Sequence, residues 1–213
     1  MMTVIANLKG GSGKSTIAFN LAVWLATRGI DVVALDLDPQ ATLSDVLEVR
    51  QEEGYEPSIA LEHVESHIAE VLSRHGGQEI LVDVGASNIP AMREAIAHSQ
   101  RILIPVGPSQ ADIWATQRFL FIVEEAVPPG RRVERLGFIN RADTHYGVRE
   151  SDEAEEALSL LPGLRPLGVR LYQRTVYRRS LSEGLAVFEL EPGGKAAEEF
   201  ERFARLLYPD GHP

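Results

Sequence analysis

Short apolar runs alternate along the chain with longer stretches whose apolar residues recur at helical spacing. The runs predict strands over residues 3–8, 32–36, 80–84, 102–106 and 136–140, with a weaker one over 167–171. The longer stretches predict helices over 15–28, 58–74, 93–98, 113–126, 150–160, 173–183 and 195–208. Several strand runs are apolar at successive positions, as expected for strands covered on both faces. Strand and helix in turn give βα units and a parallel sheet. Pro128-Pro129-Gly130 and Pro162-Gly163 mark helix ends. There is no internal repeat and no linker rich in Gly, Ser or Pro. The expectation is one doubly wound α/β domain over residues 1–213, with a mostly parallel sheet and helices on both faces.

Composition narrows the chemistry. A chain of 213 residues, 44% hydrophobic and 24% charged, can bury a sizeable core. Cysteine is absent, which excludes disulfides, thiolate zinc sites, cysteine-ligated clusters and a cysteine nucleophile, and fits a reducing cytoplasm. No apolar run reaches the ~18 residues of a membrane span. The first residues meet Lys9 and Gly10 after a short apolar run, which is not the layout of a signal peptide. A soluble protein is expected. The net charge of −10 argues against a generic polycation that coats nucleic acid. Its distribution is uneven: residues 41–80 hold nine acids against two Arg, whereas 165–182 hold five Arg and no acid.

The sharpest signal is Lys9-Gly10-Gly11-Ser12-Gly13-Lys14-Ser15-Thr16, directly after a predicted strand and opening a predicted helix. Glycines let the backbone turn tightly and point consecutive N–H groups inward at the positive end of the helix dipole. This pattern predicts a phosphate-binding loop of the P-loop NTPase kind, in which Lys14 would reach the β- and γ-phosphates, Ser15 would ligate Mg²⁺ and Thr16 would face the α-phosphate. The general form would place glycine at position 8, where this chain has Leu8. A second lysine, Lys9, opens the loop instead. Its charge is either solvated or aimed at a phosphate presented by another subunit.

KGGSGKST resembles the deviant Walker A loop of the ParA/MinD ATPases. Two further segments resemble that superfamily in order and place. Asp36-Leu37-Asp38-Pro39-Gln40 is similar to its DxDPQ segment, and Ile80-Leu81-Val82-Asp83 to its Walker B, with Val84 to Ser87 where a switch loop should lie. Residues 104–112, 173–177 and 184–188 resemble the small ParF-like plasmid partition ATPases in particular. The resemblance implies an ATP-dependent sandwich dimer in which Lys9 crosses to the partner's nucleotide. It also implies Mg²⁺ held by Ser15 with Asp38 and Asp83, the latter through a metal-bound water. Asp38 would orient or deprotonate the attacking water, and Asp36 would position the loop or bind near the metal. Hydrolysis is expected to be slow until a cation is supplied in trans. Asn140 lies near where the family contacts adenine; it either bonds the base edge or simply forms a turn.

Arg170, Arg174 and Arg178 are spaced by four, with Arg179 beside the last; a helix starting near 173 would put Arg174 and Arg178 on one face. The resemblance implies non-specific DNA binding there, a ParB/ParG-like adaptor that stimulates hydrolysis, and a cytoplasmic, nucleoid-associated location. Paired or solvated arginines are the alternative. Charge reversal at Arg174 and Arg178 is expected to abolish DNA binding and spare ATPase activity. The competing readings are a membrane-associated MinD-like ATPase and a biosynthetic enzyme of the amidotransferase or dethiobiotin synthetase type. The apolar stripe of the last helix (Phe200, Phe203, Leu206, Leu207) lies beside Glu198, Glu199 and Glu201, which favours docking on the core over anionic lipid. His63 and His67 have a zinc-compatible spacing but no evident third ligand.

Overall fold

The computed structural model describes residues 1–62, 68–145 and 149–209. The strands are β1 (Met2–Ile5), β2 (Val32–Asp36), β3 (Ala60–Glu62), β4 (Glu79–Asp83), β5 (Arg101–Val106), β6 (Glu134–Ala142) and β7 (Arg165–Tyr172). They form a seven-stranded sheet in the order β3-β2-β4-β1-β5-β6-β7, every pairing parallel. The sheet is thus wholly rather than mostly parallel. The chain runs from β1 past β4 to β2 and β3, returns to β4 and then crosses β1 to β5, β6 and β7, so its direction reverses beside β1, where such sheets bind ligands.

The helices are α1 (Lys14–Ala26), α2 (Thr42–Glu52), α3 (Ile68–Arg74), α4 (Ile89–His98), α5 (Gln110–Ala126), α6 (Glu150–Ser159), α7 (Thr175–Glu183), α8 (Val187–Leu190) and α9 (Lys195–Leu207). Alternate strand residues face opposite layers. Ile102 and Ile104 pack with α3 to α6 through Val71, Ile96, Phe119 and Leu158. Leu103, Phe138 and Leu171 pack with α1, α2 and α7 to α9 through Phe19, Leu47, Val176, Val187 and Phe200. Helix α1 is buried continuously from Ile17 to Leu25, because it lies against the sheet and is roofed by α2 and α7. The fold therefore fixes the phosphate loop at both ends.

Helix α9 docks as its stripe predicts. Phe200, Phe203 and Leu207 are buried, Leu206 is half-exposed, and Glu201 accepts from Trp24 Nε1 at 2.6 Å while pairing with Arg28. Three elements depart from the sequence expectation. Helix α2 and strand β3 occupy a stretch read as loop and helix, and α8 interrupts a predicted connection. Strand β3 has three residues at the sheet edge, too short for a periodic signal. Helix α2 is held by long-range contacts: Arg50, fully buried, bonds the Pro57 and Gly184 carbonyls and pairs with Glu189 of α8. Among the described residues the 165–182 arginines pair with acids of β6, α6, α7, α9 and Glu191 rather than with the acidic 41–80 stretch. His63 and His67 lie outside the described residues. Among the described residues no helix is long and apolar enough to cross a membrane.

Candidate functional site

Residues Ala6 to Gly13 leave β1 and turn into α1 with Gly11 at φ 75° and Gly13 at φ 92°, both left-handed. Gly13 caps α1 in a conformation that costs other residues energy. It also leaves room for a neighbour, since a Cβ there would lie 2.3 Å from Asn140 Nδ2. That amide, at the end of β6, donates to the Ser12 carbonyl at 2.7 Å. Next to it Arg141, itself at φ 60°, donates from Nη1 to the Gly11 carbonyl at 2.7 Å. With two of the loop's carbonyls bonded from behind, its N–H groups are left for an anion. Lys14 is buried in the first turn of α1, while Lys9 and Gly10 are exposed. Lys9 has no ion-pair partner among the described residues.

The carboxylates lie on neighbouring strand ends. Asp36 is paired in register with Asp83, and Leu37 N donates to the Asp83 carbonyl at 2.8 Å. Asp36 spends its oxygens on structure: Oδ1 accepts from Asp38 N at 3.0 Å, and Oδ2 from Ser44 N at 2.9 Å and Ser44 Oγ at 3.0 Å. That geometry gives Asp36 the loop-positioning role. Asp38 Oδ1 accepts from Gln40 N at 3.0 Å and approaches Gly85 so closely that a Cβ there would lie 2.7 Å away. Asp83 is fully buried, and neither carboxylate oxygen has a hydrogen-bond partner among the described residues. Burial pushes its carboxyl up to about 7; the Ser15 hydroxyl and Lys14 pull it back, and Asp36 and Asp38 add to the rise. The Ser12 hydroxyl is likewise buried and unpartnered. Orphaned polar groups of this kind call for a ligand.

Lys14, Ser15 and Asp38 open onto a cavity of about 710 Å³. It is walled by Gly10, Gly11, Gly13 to Ile17, Asp38, Asn140 and Arg141 at one end, and by Tyr172 to Thr175, Tyr177, Arg178 and Leu181 at the other. The second wall was missed at the sequence level, although the carboxyl end of β7 falls on the ligand side of any such sheet. Burial beside Glu199 pushes the Tyr177 phenol above its ordinary value, and its hydroxyl has no hydrogen-bond partner among the described residues.

The arginines are dispersed rather than aligned. Arg170 pairs with Asp152 and Glu155 of α6. Arg174 caps α7 from outside, is gripped by both oxygens of Glu199 and lies 5.5 Å from the Tyr172 ring centre. Arg179 pairs with Glu183 and Glu191. Arg178 is exposed. Arg174 and Arg178 line the cavity, so a double charge reversal there would alter the cavity as well as any DNA face.

Residues 3–187 match the family described as the CobQ/CobB/MinD/ParA nucleotide binding domain. The chain belongs to this family. It is 28% identical over 210 residues to the maintenance of carboxysome distribution protein A of Halothiobacillus neapolitanus, covering 96% of this chain and 95% of that one. It is also 28% identical over 216 residues to protein ParA of Rhizobium radiobacter, covering 97% and 96%. Among solved structures, the septum site-determining protein MinD from Pyrococcus horikoshii OT3, complexed with Mg-ADP, superposes with a TM-score of 0.72 at 19% identity, over 97% of this chain and 95% of that one. That likeness shares the fold.

Proposed function

We propose that this protein is an ATPase that binds ATP with Mg²⁺ in the 710 Å³ cavity and uses its hydrolysis to hold and release a large cargo. The observation that carries this reading is Asp83, a buried carboxylate without a partner beside the hydroxyl of Ser15 at the mouth of a braced phosphate loop. Among the described residues no cluster of three or more acids and histidines could hold a metal by itself. That suits Mg²⁺, which takes one or two protein ligands and fills its shell with phosphate and water. Ser15 and Asp83 would hold it, and it would supply charge neutralisation at the phosphates. Backbone N–H groups of residues 10–16 and the Lys14 ammonium bind and orient the phosphate chain. Asp38, tethered near Gly85 with its Oδ1 already accepting one N–H, positions the attacking water and takes its proton. Asn140 and the wall from Tyr172 to Thr175 face the base.

Lys9 is left over by this arrangement, and its exposure suits a role across an ATP-dependent homodimer, on the phosphate of the partner subunit. Turnover would then wait on dimerisation and on an adaptor, which suits a timed switch better than metabolism. Non-specific DNA is the proposed track, contacted through Arg178 and Arg179 with Arg170 and Arg174 behind them, at a nucleoid location. The names of the two relatives, one for carboxysome distribution and one a ParA, support positioning as the output. The burial of α9's apolar stripe counts against a membrane-bound alternative.

Fluorescence anisotropy of a random-sequence duplex, read with Mg-ATP and with Mg-ADP, tests the reading. Salt-sensitive binding confined to Mg-ATP is expected. Binding in neither state would remove DNA as the track, and failure to bind a fluorescent ATP analogue would remove the ATPase itself.

A further inference from the structure

Four large apolar side chains are exposed among the described residues, and three of them belong to the adjoining helices α5 and α6. Trp114 (56% exposed) and Phe121 (65%) lie on α5, and Leu160 (76%) caps the adjoining α6. Trp114 and Phe121, seven residues apart, share the helix face opposite the buried Thr116, Phe119 and Val123. The flanks of both helices are fixed by ion pairs. Glu125 of α5 meets Arg93 of α4, while Glu124 meets Arg135 on the α6 side. On α6, Asp152 and Glu155 turn toward Arg170 of the edge strand β7. At 100° per residue, Glu150 and Glu153 therefore turn toward α5, with Glu156 outermost. All three are exposed and form no ion pair among the described residues. Helix α6 contains no basic residue, and the exposed cation of α5, Arg118, falls on the α4 flank beside Glu125.

We propose that the α5–α6 face is a docking surface for a basic amphipathic segment of a partner protein. Its apolar side chains would cover Trp114, Phe121 and Leu160, and its Lys or Arg residues would meet Glu150, Glu153 and Glu156. Exposed large apolar side chains on adjoining helices, flanked by unpaired charge, mark such a site. The sign of the rim selects the occupant. Anionic lipid is repelled by it, and a second copy of this face would set acid against acid. The buried side of α5 is wired to the phosphate loop: Asn7 Nδ2 donates to Thr116 Oγ1 at 3.1 Å and to the Pro105 carbonyl at 3.0 Å, two residues before Lys9. Any stimulation of hydrolysis by docking here rests on the ATPase reading; the docking itself does not.

The test is run without nucleotide, so its failure is separable from failure of that reading. The probes are an 18-residue helical peptide of Leu and Lys with an amphipathic pattern, a Leu and Glu twin, and a scrambled Leu and Lys control. Of the two tryptophans Trp24 is buried, so a change in emission reports on Trp114. The patterned basic peptide is expected to shift the emission to the blue and saturate, the twin and the scrambled peptide to leave it unchanged. Phe121→Ser with Leu160→Ser, and separately Glu153→Lys with Glu156→Lys, should each weaken binding by roughly tenfold. Since all four residues are exposed, the melting temperature should hold. Equal binding of the twin, or affinity unchanged in both double variants, would overturn the proposal. So would sedimentation showing self-association that Phe121→Ser disperses, which would make the occupant a second copy.

Discussion

Asn140 donates its Nδ2 to the Ser12 carbonyl at 2.7 Å across the space that a side chain at Gly13 would fill. The end of β6 and the start of α1 are thereby locked through the phosphate loop. Gly13→Ala is expected to cost about 2–4 kcal/mol, from its left-handed φ and the clash with Asn140. Adding Asn140→Ala should return the part due to the clash and leave the part due to φ. Urea unfolding of the two single variants and the double variant measures both. If the second substitution restores nothing, the amide contact is not the source of the cost.

The proposed role of Lys9 in trans separates binding from assembly. Lys9→Ala is expected to leave the melting temperature and the affinity for a fluorescent ATP analogue unchanged. The same variant should lose the ATP-dependent dimer and hydrolysis. Light scattering after size exclusion, with Mg-ATP and with Mg-ADP, reads the first loss, and phosphate release the second. A variant that still dimerises and turns over would give Lys9 no role in trans.

Asp83 holds a charge site at the expense of stability. Asp83→Asn should stabilise the nucleotide-free protein by about 1–3 kcal/mol at pH 7.5, because the buried ionised carboxylate is gone. It should also abolish the extra thermal shift that Mg²⁺ adds to ATP. Calorimetry with and without Mg²⁺ checks both halves.

Arg179 and Arg170 are expected to part company under charge reversal. Arg179 is half exposed and its ion pairs are surface ones, so Arg179→Glu should cost under about 1 kcal/mol. It should weaken duplex binding and lower the slope of log affinity against log salt by about one for each phosphate that Arg179 neutralises. Arg170→Glu would set a third acid against Asp152 and Glu155, and should lower the melting temperature. An unchanged salt slope in Arg179→Glu would remove that residue from the DNA face.

Glu79 gives the fold a pH dependence remote from the site. It is fully buried, accepting from Tyr208 Oη at 2.6 Å and Thr3 Oγ1 at 2.9 Å. Burial raises its carboxyl above the ordinary value of 4.5, against the pull of those bonds, the Met1 ammonium and Arg101. A raised carboxyl favours folding while protonated, so its contribution is present below 4.5 and lost as pH rises through the folded value. The stability of the native protein relative to Glu79→Gln should therefore fall as pH rises above the ordinary value of 4.5. A constant difference would mean that the Glu79 carboxyl titrates in the fold as it does in the unfolded chain.

Local pattern carried much of this protein into view. The apolar runs at β2, β4, β5 and β6 are covered on both faces, so their composition alone marks them as buried parallel strands. The phosphate loop was equally legible, since Lys9 to Thr16 are consecutive and their chemistry depends on backbone that the glycines themselves permit. Asp36, Asp38 and Asp83 could be placed at strand ends, but their division of labour could not. Ser44 and the N–H of Asp38 occupy Asp36, whereas Asp83 is left bare, and both facts depend on how α2 folds back onto β2 and β4. The arginine stretch shows the same limit. Spacing of four suggests a shared basic face, yet Arg170 belongs to a strand and Arg174 lies one residue outside α7. Their partners, Glu155 and Glu199, come from helices 15 and 25 residues away in sequence. Sequence by itself determined the βα alternation, the parallel sheet and the anion-binding loop, because each is marked by a residue pattern within a short stretch of chain. Tertiary structure alone decided which charges are spent in pairs, which carboxylate stays unpartnered among the described residues, and that the helices carrying Trp114, Phe121 and Leu160 adjoin, because electrostatic pairing and burial depend on distances in space that chain order does not set.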